Sequence, residues 1–205
     1  MKLAKSSKIY QIKITLEEVK PDVWRRIQVP EDYSFWDLHV AIQDAMGWQD
    51  YHIHEFKIDN PKSGENLPIG IPDDEPEWSR ATLPGWEIAI ADYFTMDNRD
   101  ASYDYDFGDG WKHRVRLETI EQAQPGNEYP RCASGARACP PEDVGGPWGY
   151  ERFIQVINEP DHEDHERMLE WIGGTFDPDY FDLEEVWFDD PKKRWKLAIG
   201  DEGAA

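Results

Sequence analysis

The stretch from Tyr103 to Glu118, YDYDFGDGWKHRVRLE, constrains the fold of this chain more than any other. Tyr103, Tyr105 and Phe107 alternate with Asp104 and Asp106, and Trp111, His113, Val115 and Leu117 alternate with Lys112, Arg114 and Arg116. A period of two is the mark of a strand with one apolar face. Gly108-Asp109-Gly110 between the two runs supplies turn chemistry, so the stretch predicts a hairpin. A two-residue loop, Asp109-Gly110, would put three cations on the aromatic face. A three-residue loop sets Phe107 opposite Trp111, Tyr105 opposite His113 and Tyr103 opposite Val115. It also pairs Asp106 with Lys112 and Asp104 with Arg114, each worth a few tenths of a kcal/mol to about 1 kcal/mol. The second register satisfies both faces and is the one expected.

Other segments follow the same logic. Tyr10, Ile12, Ile14 and Leu16 alternate with polar residues and predict a first strand, and Val23 to Val29 predicts its hairpin partner after Pro21-Asp22. Ser34 with Asp37 resembles a capping box ahead of an apolar stripe at Phe35, Leu38, Ile42, Ala45 and Met46 that stops at Gly47. Tyr51 to Ile58 and Trp86 to Ala91 read as strands, separated by a long, acidic, Pro- and Gly-rich loop from Asn60 to Gly85. Tyr129 to Tyr150 is too dense in Gly and Pro for regular structure. Helical stripes follow at Tyr150 to Ile157 and His165 to Ile172, and Asp182 reads as the cap of a third helix through Trp187. Strands early and helices late predict an α+β fold: a mainly antiparallel sheet from the N-terminal two thirds, packed with one early helix and about three C-terminal helices. At 205 residues the chain is most simply one domain, from 8 to 190, with a partly disordered tail from 191 to 205.

Charge narrows the partners. The formal net charge is −21, which opposes contact with phosphate backbones, so no direct binding of nucleic acid is expected. MKLAKSSKIY has cations but no apolar segment of a secretory signal, and no apolar run approaches a membrane span. Two cysteines, Cys132 and Cys139, make no disulfide framework. A cytoplasmic protein without membrane contact is the expectation.

Several segments together resemble one family: LHVAIQDAMGW with HIHEF (Leu38 to Phe56), YDYDFGDGWKHRVRLE, YP-x-C through CPPEDVGGPWGY, and GGTFDPDYFDL (Gly173 to Leu183). They are similar to the plasmid pRiA4b ORF-3-like family, over about Ile9 to Trp187. The resemblance implies a product associated with plasmids and mobile elements and supplies no catalytic residues. Some members carry a resolvase label, but this chain has neither a recombinase-like nucleophile motif nor a basic arm.

Candidate chemistry is sparse. Asp106-Phe107-Gly108 matches the kinase DFG triplet without a Gly-rich loop or HRD motif. Asp104-x-Asp106 lacks the Gly and Glu that a calcium loop needs. His162 and His165 are three apart, not the four of a zinc-protease helix, and sit in a solvated acidic run. The metal candidate joins His52 and His54, about 7 Å apart on one strand face, with His113, Cys132 and Cys139, a donor set that zinc accepts. Hydrogen-bonded core histidines and buried thiols are the competing account, and Cys-x6-Cys is wider than usual ligand spacing. Trp78 and Trp148, in loops, are candidates for ligand contact. With no complete catalytic set and no required cofactor, the expectation is a non-enzymatic interaction module binding a protein partner, a basic one, through acidic and aromatic surface. The alternatives are a zinc-dependent enzyme, most simply a hydrolase, and an acidic mimic of DNA.

Overall fold

The computed structural model describes residues 7–72 and 82–198. In chain order the strands and helices are β1 (Lys8–Leu16), β2 (Trp24–Pro30), α1 (Phe35–Met46), β3 (His54–Lys57), β4 (Pro68–Gly70), β5 (Leu83–Pro84), β6 (Asp100–Tyr105), β7 (Trp111–Gln122), β8 (Arg131–Ala136), α2 (Gly146–Ile157), α3 (His165–Ile172) and α4 (Pro191–Ala198). The strands form one sheet in the order β5-β4-β3-β6-β7-β1-β2-β8. Every pairing is antiparallel except β4 with β5. This is the expected α+β architecture, with one early helix and three late ones.

The alternation in the sequence decides the two faces of the sheet. Ile12, Ile14 and Leu16 of β1, Tyr103 and Tyr105 of β6, and Trp111, His113, Val115 and Leu117 of β7 all point into one core. Fully burying one large apolar side chain contributes about 1.5–3 kcal/mol, so this row dominates the choice of register parity. The opposite face carries Lys13, Arg26, Gln28 and Glu118, with Arg26 donating to both oxygens of Glu118. Helix α1 lies on the apolar face. Ser34 and Asp37 form a reciprocal capping box at its start, and Gly47 closes it in the left-handed conformation. The buried Arg25 donates to the Ala45 carbonyl near the helix end and to the Ala136 carbonyl of β8. It thereby satisfies backbone groups that the core would otherwise leave without partners.

The hairpin register differs from the expected one by two residues. Tyr105 faces Trp111, Tyr103 faces His113, and Ala101 faces Val115. The connection is a five-residue turn, Asp106 to Gly110. A shift of two preserves which side chains point inward, so the apolar pattern cannot distinguish the two registers. Asp106 decides between them. It adopts φ 53°, in the left-handed region, and its Oδ1 accepts hydrogen bonds from the backbone N–H groups of Gly108 and Asp109. An Asx turn of this kind replaces the last strand pair. Asp104 therefore faces Lys112 and Ser102 faces Arg114, in place of the expected Asp106–Lys112 and Asp104–Arg114 pairs.

Other differences have local causes. Tyr51 to Ile53 stays outside β3, because the chain turns at Asp50, φ 62°, and the Tyr51 N–H goes to the Tyr105 hydroxyl. The expected strand from Trp86 to Ala91 is a crossing segment with one bridge, Ala89 to Ser34, and a 3₁₀ turn at Ile90–Asp92. Its Ile88 carbonyl accepts the Phe35 N–H at the start of α1. Within the Gly- and Pro-rich segment, β8 forms on the free edge of β2, with a register irregularity. Asp182 does cap a helix start, but only of a 3₁₀ turn, Leu183–Glu185. The third C-terminal helix is α4, in the expected tail. Its Trp195 is buried against Trp36 and Trp86. No helix among the described residues is long and apolar enough to cross a membrane.

Candidate functional site

Three separate segments meet beyond the end of α1. Trp48, which follows the Gly47 cap, stacks on Tyr105 and donates its indole N–H to the Pro140 carbonyl at 2.9 Å. The Gln49 N–H and the Tyr105 hydroxyl both donate to Glu142, at 2.9 and 2.7 Å. On the other side of the same loop, Asp109 accepts the Gly145 N–H at 3.0 Å. Gly146 lies so close to the hairpin turn that a Cβ there would sit 2.2 Å from the Asp109 carbonyl oxygen. The loop is thus clasped to the hairpin tip on both sides of Asp143.

The clasp brings His52, Asp106 and Asp143 together. His52 Nε2 is 3.2 Å from Asp143 Oδ1 and 3.6 Å from Asp106 Oδ2, and one donor atom from each residue lies within 4.8 Å of the others. Asp106 is nearly buried, His52 partly exposed and Asp143 open to solvent. Among the described residues, neither aspartate pairs with a lysine or arginine. Large exposed apolar side chains flank these residues along the chain: Tyr51 (70% exposed) and Ile53 (56%) on either side of His52, Phe107 (55%) after Asp106, and Trp148 (84%) on the first turn of α2. Asp143 also borders a cleft of about 350 Å³ lined by Arg152, Phe153, Arg167, Met168 and Trp171.

A second polar cluster is closed to solvent. The Gln43 amide donates to the Tyr103 hydroxyl at 2.8 Å, and that hydroxyl meets His39 Nδ1 at 2.8 Å. His39 Nε2 meets Asp50 at 2.8 Å. One proton arrangement satisfies both ring nitrogens of His39: Tyr103 donates to Nδ1, and Nε2–H donates to the carboxylate; Gln43 Oε1 stays buried without a partner among the described residues. The His54 ring stacks on His39 with centroids 3.5 Å apart. Burial holds both imidazoles well below their ordinary pKa, helped by Arg194 for His39 and by His39 itself for His54. Burial pushes the Asp50 carboxyl up to about 6, against the pull of His54 and Arg194. Arg194 of α4 also binds Asp44 and Asp189. His39 and Tyr103 are fully buried, and the network joins α1, β3, β6 and α4.

The five expected metal ligands are therefore not brought together. His52 reaches the hairpin tip, and His54 is in the buried network. His113 lies on the far side of Tyr103, with Nδ1 donating to the Tyr103 carbonyl at 3.2 Å. Cys132, in β8, contacts the Arg26 and Ser134 carbonyls. Cys139 sits in the following loop, and both thiols are free. Burial raises both thiol pKa values, so neither is poised as a thiolate. Trp148 is exposed on the first turn of α2, and Trp78 lies outside the described residues. The sequence reading missed Asp106 and Asp143 as partners of His52, having paired Asp106 with Lys112. It also missed His39 and Gln43, although their i, i+4 spacing in α1 was a usable signal.

Comparison with known proteins adds three findings. The family model described as Plasmid pRiA4b ORF-3-like protein matches residues 8–185. The uncharacterized protein y4hQ of Sinorhizobium fredii (strain NBRC 101917 / NGR234) is 36% identical over 168 residues, covering 82% of each chain. A crystal structure of the protein of unknown function MM3350 from Methanosarcina mazei Go1 is 46% identical and superposes with a TM-score of 0.84, covering 90% of this chain and all of that one.

Proposed function

This chain belongs to the plasmid pRiA4b ORF-3-like protein family, and from that premise and the geometry of the hairpin tip we propose that it is a protein-binding module. The docking face is the tip itself, and the occupant is a basic protein segment. The observation that carries this reading is the exposure of Tyr51 and Ile53 on either side of His52, of Phe107 next to Asp106, and of Trp148 on the first turn of α2, directly after the clasped loop. Single exposed apolar residues are ordinary, but a group on rigid backbone marks an interaction surface. Aromatic anchors of this kind supply most of the energy in protein interfaces. The net charge of −21 and the open carboxylate of Asp143 set the sign of the partner, and attraction of opposite charge speeds its arrival.

A photo-cross-linking amino acid at position 107 or 148, introduced in cells of the source organism, tests the proposal. Position 114, on the outer face of the sheet, is the control. Adducts with one basic protein at 107 and 148, weakened by salt and missing at 114, are expected. Adducts absent from the tip, or equal at 114, would reject it.

A further inference from the structure

We propose that His52 Nε2, Asp106 Oδ2 and Asp143 Oδ1 bind one first-row divalent transition ion of the zinc class. The distances fit. Bonds of about 2.0–2.2 Å around a tetrahedral ion place donor atoms roughly 3.3–3.6 Å apart. His52 Nε2 stands 3.2 and 3.6 Å from the two carboxylate oxygens. The span between the carboxylates, within 4.8 Å, closes by rotation of the Asp143 side chain, which is 68% exposed.

Asp106 is an independent indication. Its side chain is nine-tenths buried, and its Oδ1 is occupied by two backbone N–H groups. Its Oδ2 has no hydrogen-bond partner among the described residues and faces the gap beside His52. A carboxylate oxygen on so enclosed a side chain, with an imidazole nitrogen 3.6 Å away, is placed to share a cation with it. The backbone bonds to Oδ1 orient the other oxygen as outer-shell contacts orient metal ligands generally. The donor set selects the ion. One imidazole with two carboxylates suits zinc, manganese or ferrous iron, whereas calcium and magnesium take oxygen shells. Three protein donors with an exposed Asp143 leave positions for water, so the ion would sit open to solvent.

The test is calorimetric titration of Zn²⁺ into the full chain, freed of metal by chelation, at neutral pH. One equivalent per chain is expected, with Ca²⁺ binding at least 100-fold more weakly. His52→Ala and Asp143→Asn should each weaken Zn²⁺ at least tenfold, while Asp100→Asn, on the exposed Asp100–Arg116 pair, leaves it unchanged. Thermal melts confirm that each variant is folded; Asp106 is spared because it also builds the turn. No saturable binding, equal affinity for Ca²⁺, or full binding in both variants would overturn the proposal. The titration needs no protein partner, so its failure would leave the docking face standing.

Discussion

His113 should make this protein lose stability in mild acid by an amount the structure allows us to work out. The imidazole is fully buried on the inner face of β7. Its Nδ1 faces a carbonyl, which can only accept, so Nδ1 carries the proton. Nε2 is buried with no partner among the described residues, and a second proton there would be an unpaired charge in the core. Burial pushes its pKa down from 6.5 to about 4, against the opposing pull of the Tyr103 and Trp111 backbone bonds. Below pH 6.5 the unfolded chain takes up the proton first, so stability falls with pH through the window from 6.5 to 4. Between pH 7 and pH 5 this one group removes about 2 kcal/mol, and below pH 4 about 3 kcal/mol in all. His39 and His54 act in the same direction. Asp50, raised to about 6, acts oppositely, because its folded form binds the proton more readily. The His113→Gln variant retains those groups and removes only the titration of His113. Urea unfolding followed by tryptophan fluorescence at pH 7 and pH 5 should show the variant losing about 2 kcal/mol less than the parent. An equal loss in both, within about 0.5 kcal/mol, would refute the reasoning.

Two substitutions probe the architecture around the site. Gly146→Ala should cost about 2–3 kcal/mol, through overpacking against the Asp109 carbonyl added to a positive φ. Gly126→Ala, with a similar φ and nothing within 4 Å, should cost only about 1 kcal/mol, so equal melting temperatures for the pair would contradict the clasp. Trp195→Ala should cost about 3 kcal/mol in chemical denaturation, because the ring fills the space between Trp36 and Trp86. It should also speed proteolysis at α4, and an unchanged cleavage rate would show that the helix is held some other way.

Much of the fold was legible because it rests on periodicity. Residues that alternate along β1, β6 and β7 face the core wherever the hairpin register falls, since a slip of two residues changes the partners and leaves the faces intact. The start and end of α1 were legible for a similar reason: Ser34, Asp37 and Gly47 act on backbone groups within a turn of themselves. The short strand β8 was hidden in a segment of Gly and Pro. Arg131 to Ala136 has little strand pattern of its own and is held by the edge of β2 and by Arg25. Helix α4 was hidden likewise, since one tryptophan on a charged octapeptide signals nothing until Trp36 and Trp86 are beside it.

The candidate site divides along the same line. Sequence alone determined the family, the apolar faces, the acidic character and the suspicion attached to His52. Only the tertiary structure decided that His52 joins Asp106 and Asp143, while His54 and His113 go into the core and the cysteines stay apart. The physical reason is that this meeting depends on left-handed backbone at Asp106 and Asp143 and on the Asp109 and Glu142 bonds that clasp the loop. Residues 52, 106 and 143 share no local period, so their meeting depends on the closure of two loops, and no pattern along the chain records it.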